Sequence, residues 1–287
     1  MQDIFGNIDP WKPWYADLDQ YEQLPLWEGD APGFNAAFEQ RNPSVSLFLA
    51  PEAKGKGCVL VMAGGGYTNK APHEGPMTAI KLQKSGVNAA VLDYRLVPYK
   101  KEFILADAKR AVRYLRYHAE SFGINQEIAV LGYSAGGNLA AMAGFFADDG
   151  DPDATDPIER MSSRPTLAVI AYPGINFVPE YEEEEVEAGS EDFDIMSYFD
   201  FVYEKGMSFP PAFIWQSFGD HLINYKTSFE LVNIVRQLGS PVELHVFPYG
   251  EHGQGLAIDP NDRDNRDNQL TSVWSDLCSR WLKFYGF

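Results

Sequence analysis

Glu127-Ile128-Ala129-Val130-Leu131-Gly132-Tyr133-Ser134-Ala135-Gly136-Gly137-Asn138-Leu139-Ala140-Ala141-Met142-Ala143 decides how this chain folds. An apolar run leads into a serine flanked two residues away on each side by glycine, and a helix-forming stretch follows. This is the pattern of a nucleophile elbow, a strand-to-helix turn that exposes a serine at the edge of a sheet. The residue types follow from the geometry. The turn is so tight that a Cβ at either flanking position would collide with neighbouring backbone, and glycine removes the collision. A helix starting at the serine aims its first amides and its positive dipole end at the space beside Ser134, where an oxyanion would be favoured. The plainer alternative is a glycine-rich turn whose serine only caps the helix.

Outward from the elbow, apolar runs and helical periods alternate. Residues 44–49 alternate as a strand, 58–62 form a continuous apolar run of the kind buried on both faces, and 87–92, 128–131, 167–172, 212–216 and 242–247 read as further strands. Helical periods cover 77–84, 104–121 with Leu105, Ala108, Val112 and Leu115 inward, 225–238 with Phe229, Val232 and Val235 on one face, and 270–284. Strands and helices at this spacing predict an α/β protein with a mostly parallel, doubly wound sheet. With no linker interrupting the rhythm, residues 1–287 read as one domain.

Three stretches break the rhythm. Residues 1–43 carry Trp11, Pro13, Trp14, Tyr15 and Trp27 without a period, and are expected to wrap the domain so that the aromatics pack. Residues 148–164 are polar and turn-rich, which predicts an exposed loop. Residues 173–211 join an acidic run, Glu182 to Glu185, to the aromatics Phe193, Tyr198, Phe199, Phe201 and Tyr203, and lie where a small cap or lid would be inserted.

A serine hydroxyl needs a base, and the base needs a carboxylate to orient it. On a strand–elbow–helix scaffold the acid and then the histidine follow the serine in chain order. Of five histidines, His73 and His118 precede Ser134, His245 lies inside a strand pattern, and His221 adjoins Asp220 in one loop. His252, in Gly250-Glu251-His252-Gly253 just after the last strand, is the expected base. Asp220, in Ser217-Phe218-Gly219-Asp220 after the strand at 212–216, is the expected acid. Asp192, Asp194 and Asp200 fall in the irregular 173–211 stretch with no strand to position them. Oxyanion donors are expected from the amide of Ala135 and from Gly65 and Gly66 in Ala63-Gly64-Gly65-Gly66-Tyr67, where glycine lets backbone approach a substrate. A phosphate loop is disfavoured, since Gly64–Gly66 has neither a following G-K-[ST] nor a G-x-G-x-x-G frame.

Composition narrows the partners. Forty-one acidic against 23 basic residues give a net charge of −18, which repels nucleic acid, anionic membrane and polyanionic substrates. Hydrophobic residues at 45% supply a sizeable core. Cys58 and Cys278 read as small buried hydrophobes, with no disulfide or metal role. The first residues lack a basic stretch followed by an apolar one, and no apolar run reaches membrane-spanning length, so a soluble cytoplasmic protein is expected.

Gly64-Gly65-Gly66-Tyr67, Asp93-Tyr94-Arg95, Gly132 to Gly137, Gly219-Asp220 and Glu251-His252-Gly253 together resemble the α/β-hydrolase esterase/lipase superfamily, in its hormone-sensitive-lipase-like and acetyl-xylan-esterase-like branches. Leu24-Pro25-Leu26-Trp27-Glu28-Gly29-Asp30-Ala31-Pro32-Gly33 resembles the opening of bacterial carbohydrate acetyl esterases, and His73-Glu74-Gly75-Pro76 resembles another of their segments. The resemblance spans roughly residues 24–287. It implies an eight-stranded sheet flanked by helices, a Ser134–His252–Asp220 triad without cofactor or metal, and a small-molecule ester, such as an acetylated sugar, as substrate. Homo-oligomerisation is left open. One departure stands out: Ala63 occupies the place of the histidine that braces the loop in HGGG-type lipases. The same triad could serve an arylformamidase or a small peptidase, and a non-catalytic small-molecule binder is the third reading.

Overall fold

Cys58-Val59-Leu60-Val61-Met62 has no polar position, so a strand made from it has to be covered on both sides. In the computed structural model, which describes residues 18–174, 208–258 and 266–287, all five are buried inside an eight-stranded sheet. The strands are β1 (Leu24–Pro25), β2 (Ser44–Phe48), β3 (Cys58–Met62), β4 (Asn88–Asp93), β5 (Ile128–Tyr133), β6 (Leu167–Ala171), β7 (Ala212–Ser217) and β8 (Val242–Phe247). They lie in the order β1-β2-β4-β3-β5-β6-β7-β8. β1 with β2 and β2 with β4 pair antiparallel at one edge, and the other pairs are parallel. This is the α/β-hydrolase sheet.

The two-residue period of the strands divides the core. Leu60 and Met62 face a layer built from α2 (Lys101–Tyr117), α4 (Ser134–Phe145) and α5 (Lys226–Gln237), with Leu105, Val112, Leu115, Leu139, Leu231 and Val235 in one cluster. Val59 and Val61 face α1 (Pro76–Lys84) and α7 (Trp274–Phe284), packed with Ala79, Leu82, Cys278 and Leu282. Helices therefore cover both faces. Two short helices, α3 (Ala119–Phe122) and α6 (Arg266–Ser272), complete the set among the described residues.

Several elements differ in detail from their sequence patterns. The helical period over 104–121 begins earlier, at Lys101, and is interrupted at His118 between α2 and α3. The period over 270–284 is divided between α6 and α7. On α5 the buried stripe is Thr227, Ser228, Leu231 and Val235, so Phe229 sits beside it and is exposed, edge-on to Tyr225. β1 lies in the aperiodic N-terminal stretch; two residues long, it is too short to show alternation.

Two buried arginines anchor that N-terminal stretch. Arg95 forms a fully buried pair with Asp107 at 2.5 Å, donates to Pro32 O at 2.7 Å, and stacks over Tyr99 and Phe103. Arg110 donates to Leu26 O at 2.8 Å and lies over the Trp27 ring. Trp11, Pro13, Trp14 and Tyr15 lie outside the described residues. The polar loop at 148–164 is more tightly held than its composition suggests. The basic row of α2 docks it, with Lys109 on Asp148 (2.5 Å), Arg110 on Asp156 (2.7 Å) and Glu159 (2.8 Å), and Arg113 on Asp148 and Met161 O.

Strand register then fixes the site. Met62 is opposite Gly132, Tyr133 opposite Ala171, and Ser217 opposite Phe247. The loops after β3, β5, β7 and β8 accordingly open at the same edge of the sheet.

Candidate active site

β5 ends at Tyr133 and α4 begins at the next residue, so Ser134 is held at φ +49°, a left-handed conformation costly for a residue with a Cβ. Both flanking glycines are obligatory. A Cβ on Gly132 would overlap the Gly136 carbonyl oxygen, and one on Gly136 would overlap the Met62 carbonyl oxygen. The elbow is thus wedged against the end of β3.

Ser134, His252 and Asp220 come together in one chain of hydrogen bonds. His252 Nε2 is 2.8 Å from Ser134 Oγ, and His252 Nδ1 is 2.8 Å from Asp220 Oδ2. A carboxylate only accepts, so Nδ1 carries the proton and Nε2 presents its lone pair to the Ser134 hydroxyl. The other Asp220 oxygen accepts from the amides of Leu222 (3.0 Å) and Ile223 (2.8 Å), which fixes the carboxylate plane. The Asp220 side chain is 1% exposed and that of His252 15%. Dispersion and edge contact hold the imidazole from the side, where the buried Tyr172 ring meets it at 5.1 Å and 68°.

The glycine-rich loop after β3 lies directly against the elbow. A Cβ built on Gly64 would come within 2.9 Å of Ser134 Cβ. Gly65 (φ +130°), Gly66 (φ +61°) and Tyr67 (φ +59°) are consecutive positive-φ residues, so the loop curls tightly around its own carbonyls. Gly64 O accepts from Ala71 N at 2.9 Å and Gly65 O from Asn69 N at 3.1 Å. Tyr67 Oη donates to Asn138 on α4 at 2.7 Å, tying the loop to the helix that starts at Ser134. Tyr94, from the Asp93-Tyr94-Arg95 motif, donates to Ala63 O.

Two side chains beyond the expected residues join the site. Glu74, 2% exposed, accepts from Gly64 N through Oε2 and from Tyr172 Oη through Oε1, both at 2.7 Å. Tyr172 Oη in turn accepts from Gly255 N at 2.8 Å. Burial, with Glu74 beside it, pushes the Tyr172 hydroxyl far above the usual phenol range, so it stays a donor. The motif at 73–76 was the one signal pointing to Glu74. Nothing in the strand pattern of 167–172 marks Tyr172.

The remaining histidines are placed elsewhere. His73 Nε2 donates to Gly253 O at 2.7 Å, His118 packs on Tyr114, His245 lies on β8 with Nε2 2.7 Å from Glu243, and His221 is exposed. Cys58 and Cys278 are buried free thiols; burial pushes Cys58 up to about 12 and Cys278 higher still, far from nucleophilic reactivity. Among the described residues no three His, Cys, Asp or Glu side chains converge as a metal site. Asp192, Asp194, Asp200 and nearly all of the segment expected as a cap lie outside the described residues. No described helix is long and apolar enough to cross a membrane.

Comparison with known proteins adds a family. Residues 45–235 match the sequence model of the BD-FAE family. The chain is 29% identical over 276 residues to endo-1,4-β-xylanase B of Butyrivibrio fibrisolvens, covering 88% of this chain and 42% of that protein. It is 26% identical over 223 residues to the acetylxylan esterase of Xylanibacter ruminicola, covering 73% and 43%. The chain therefore spans less than half the length of these curated relatives. Among solved structures, an acetyl ester-xyloside bifunctional hydrolase from Caldicellulosiruptor lactoaceticus is 34% identical, with a TM-score of 0.79 over 92% of this chain and 96% of that one. Thermogutta terrifontis esterase 2, at 21% identity and a TM-score of 0.69 over 95% and 97%, shares the fold.

Proposed function

The chain belongs to the BD-FAE family of α/β-hydrolases, and on that premise we propose that it is a serine carboxylic-ester hydrolase. It removes short acyl groups, chiefly acetyl, from small esters such as acetylated sugars or xylo-oligosaccharides. The observation that carries the reading is the unbroken hydrogen-bond chain from Ser134 through His252 to Asp220.

In this mechanism Ser134 Oγ attacks the ester carbonyl as His252 Nε2 takes its proton. Asp220 stabilises the imidazolium that forms and holds its tautomer. The oxyanion is received by the amides of Gly65, Gly66 and Ala135, each such donor being worth about 3 kcal/mol in the transition state. His252 then protonates the leaving alkoxide, and water attacks the acyl-serine by the same route in reverse. No cofactor or metal takes part.

The acetyl preference and the sugar alcohol draw on the relatives named as acetylxylan esterase and acetyl ester-xyloside hydrolase. A net charge of −18 and the acidic run Glu182 to Glu185 oppose adsorption to anionic lipid interfaces, which fits small soluble esters. A panel of p-nitrophenyl acyl esters from two to twelve carbons, acetylated xylo-oligosaccharides and N-formylkynurenine tests this reading. Highest kcat/KM on acetyl substrates, with sugar deacetylation, is the expected result. A maximum at eight carbons or longer without sugar deacetylation, or turnover of the formamide alone, overturns it.

A further inference from the structure

We propose that Glu74 is a positioning residue that sets the spacing between the oxyanion loop and the loop carrying His252. It forms no hydrogen bond to Ser134, His252 or Asp220. Instead its two carboxylate oxygens reach in different directions. One accepts from Gly64 N, in the loop pressed against the elbow; the other accepts from Tyr172 Oη, which accepts from Gly255 N three residues after His252. The preceding residue repeats the link, since His73 Nε2 donates to Gly253 O at 2.7 Å. Trp274 Nε1 completes the hold by donating to Gly255 O at 3.0 Å. Residues 73 and 74 thus grip the histidine loop at two points while Glu74 grips the glycine-rich loop.

The chemistry explains why a carboxylate stands there. The glycine-rich loop presents an amide and Tyr172, just after β6, presents a phenol, and a carboxylate offers an acceptor oxygen to each. A buried carboxylate is costly unless its lone pairs are filled, and here both oxygens are engaged. Ala63 brings no polar side chain to the loop, which is held instead through its backbone, Gly64 N on Glu74 and Ala63 O on Tyr94. A clamp of this kind fixes the distance from the oxyanion amides to the imidazole, and misplacement by about 1 Å can cost about 100-fold in rate.

The proposal rests on the ester-hydrolase reading for its kinetic consequence and on geometry alone for the clamp, so two measurements on the full chain are paired. Amide hydrogen exchange of Gly64 and Gly255 is followed by NMR in wild type, Glu74→Ala, Glu74→Gln and Tyr172→Phe; kcat and KM are measured with p-nitrophenyl acetate. Glu74→Ala is expected to speed exchange at both glycines, and Tyr172→Phe at Gly255 alone. Glu74→Ala is expected to lower kcat about 100-fold with KM nearly unchanged. Glu74→Gln, whose carbonyl oxygen still accepts from Gly64 N while its amide nitrogen turns a donor toward Tyr172 Oη, recovers only part of that loss. Unchanged exchange at both glycines in Glu74→Ala overturns the clamp, as does wild-type kcat in a variant whose exchange has risen. If Glu74→Ala does not fold, Tyr172→Phe decides: Gly255 exchange unchanged overturns the proposal. A wild-type protein that hydrolyses no ester overturns the functional reading instead, and the exchange data then decide the clamp by themselves.

Discussion

His252 Nε2 lies 2.8 Å from Ser134 Oγ across 118 residues of chain. The two come from strands three places apart, β5 and β8, and the loop after β8 has to reach back over the ends of β6 and β7. What fills the space beneath is Tyr172, which follows β6 at φ +33° and lays its ring edge-on to the imidazole. Asp220 lies in the loop after β7, a strand between β5 and β8 in the sheet order, and orients the ring through Nδ1.

Asp220→Asn is predicted to lower kcat/KM about 10,000-fold while the protein stays folded. The asparagine oxygen can still accept from Leu222 and Ile223. Its amide then faces His252 Nδ1 and selects the tautomer with a proton on Nε2, which cannot take one from Ser134. Kinetics alongside circular dichroism check both halves.

Gly132→Ala is predicted to be far more destabilising than Gly239→Ala. At Gly132 the new methyl would overlap the Gly136 carbonyl, and neither backbone segment can yield without opening the elbow. At Gly239, φ +80° with nothing within 4 Å, the cost is only that of a left-handed alanine, about 1 kcal/mol. Urea unfolding of the two variants gives the comparison.

Much of this site is legible in the sequence because its signals are local. The elbow needs glycine two residues either side of Ser134, and that need appears directly as a motif. Asp220 and His252 each follow an apolar run, so strand ends and chain order select them. Glu74 and Tyr172 are different. Their roles depend on contacts between residues far apart in the chain, Tyr172 with Glu74 and with Gly255, and no period or short motif encodes such pairs. The docking of the 148–164 loop is hidden for the same reason, since its carboxylates Asp148, Asp156 and Glu159 meet Lys109 and Arg110 of α2, far away in the chain.

Asp107→Ala is predicted to cost about 3–5 kcal/mol, because it leaves the Arg95 guanidinium buried without its ion partner. Burial pushes the Asp107 carboxyl up while Arg95 pulls it back, so the pair survives on mutual hydrogen bonds. Denaturant unfolding measures the loss, and looser packing around Pro32 should accompany it as faster proteolysis of the N-terminal stretch.

Asp148 links stability to acid. Burial raises its carboxyl, but Lys109, the Gly150 amide and Arg113 outweigh that and hold it down at about 2, below the ordinary 3.8. Because the folded-state value is depressed, the stabilisation is fully present above about pH 4 and is lost as pH falls through about 2. Asp148→Asn should therefore be less stable than wild type at neutral pH, with the gap closing between about pH 4 and pH 2. Exposure of the carboxylate keeps the gap small. A gap that stays constant across that range contradicts the assignment.

The central claim, that Ser134 is the nucleophile of an acetyl-sugar esterase, is tested most directly by acetate release from acetylated xylo-oligosaccharides. Wild type and Ser134→Ala are compared at equal concentration, with both confirmed folded. The account predicts steady release by wild type and a fall of about 10⁶-fold, to background, in Ser134→Ala. Release by Ser134→Ala at a rate comparable to wild type, or none by wild type on any acetylated sugar, would contradict it.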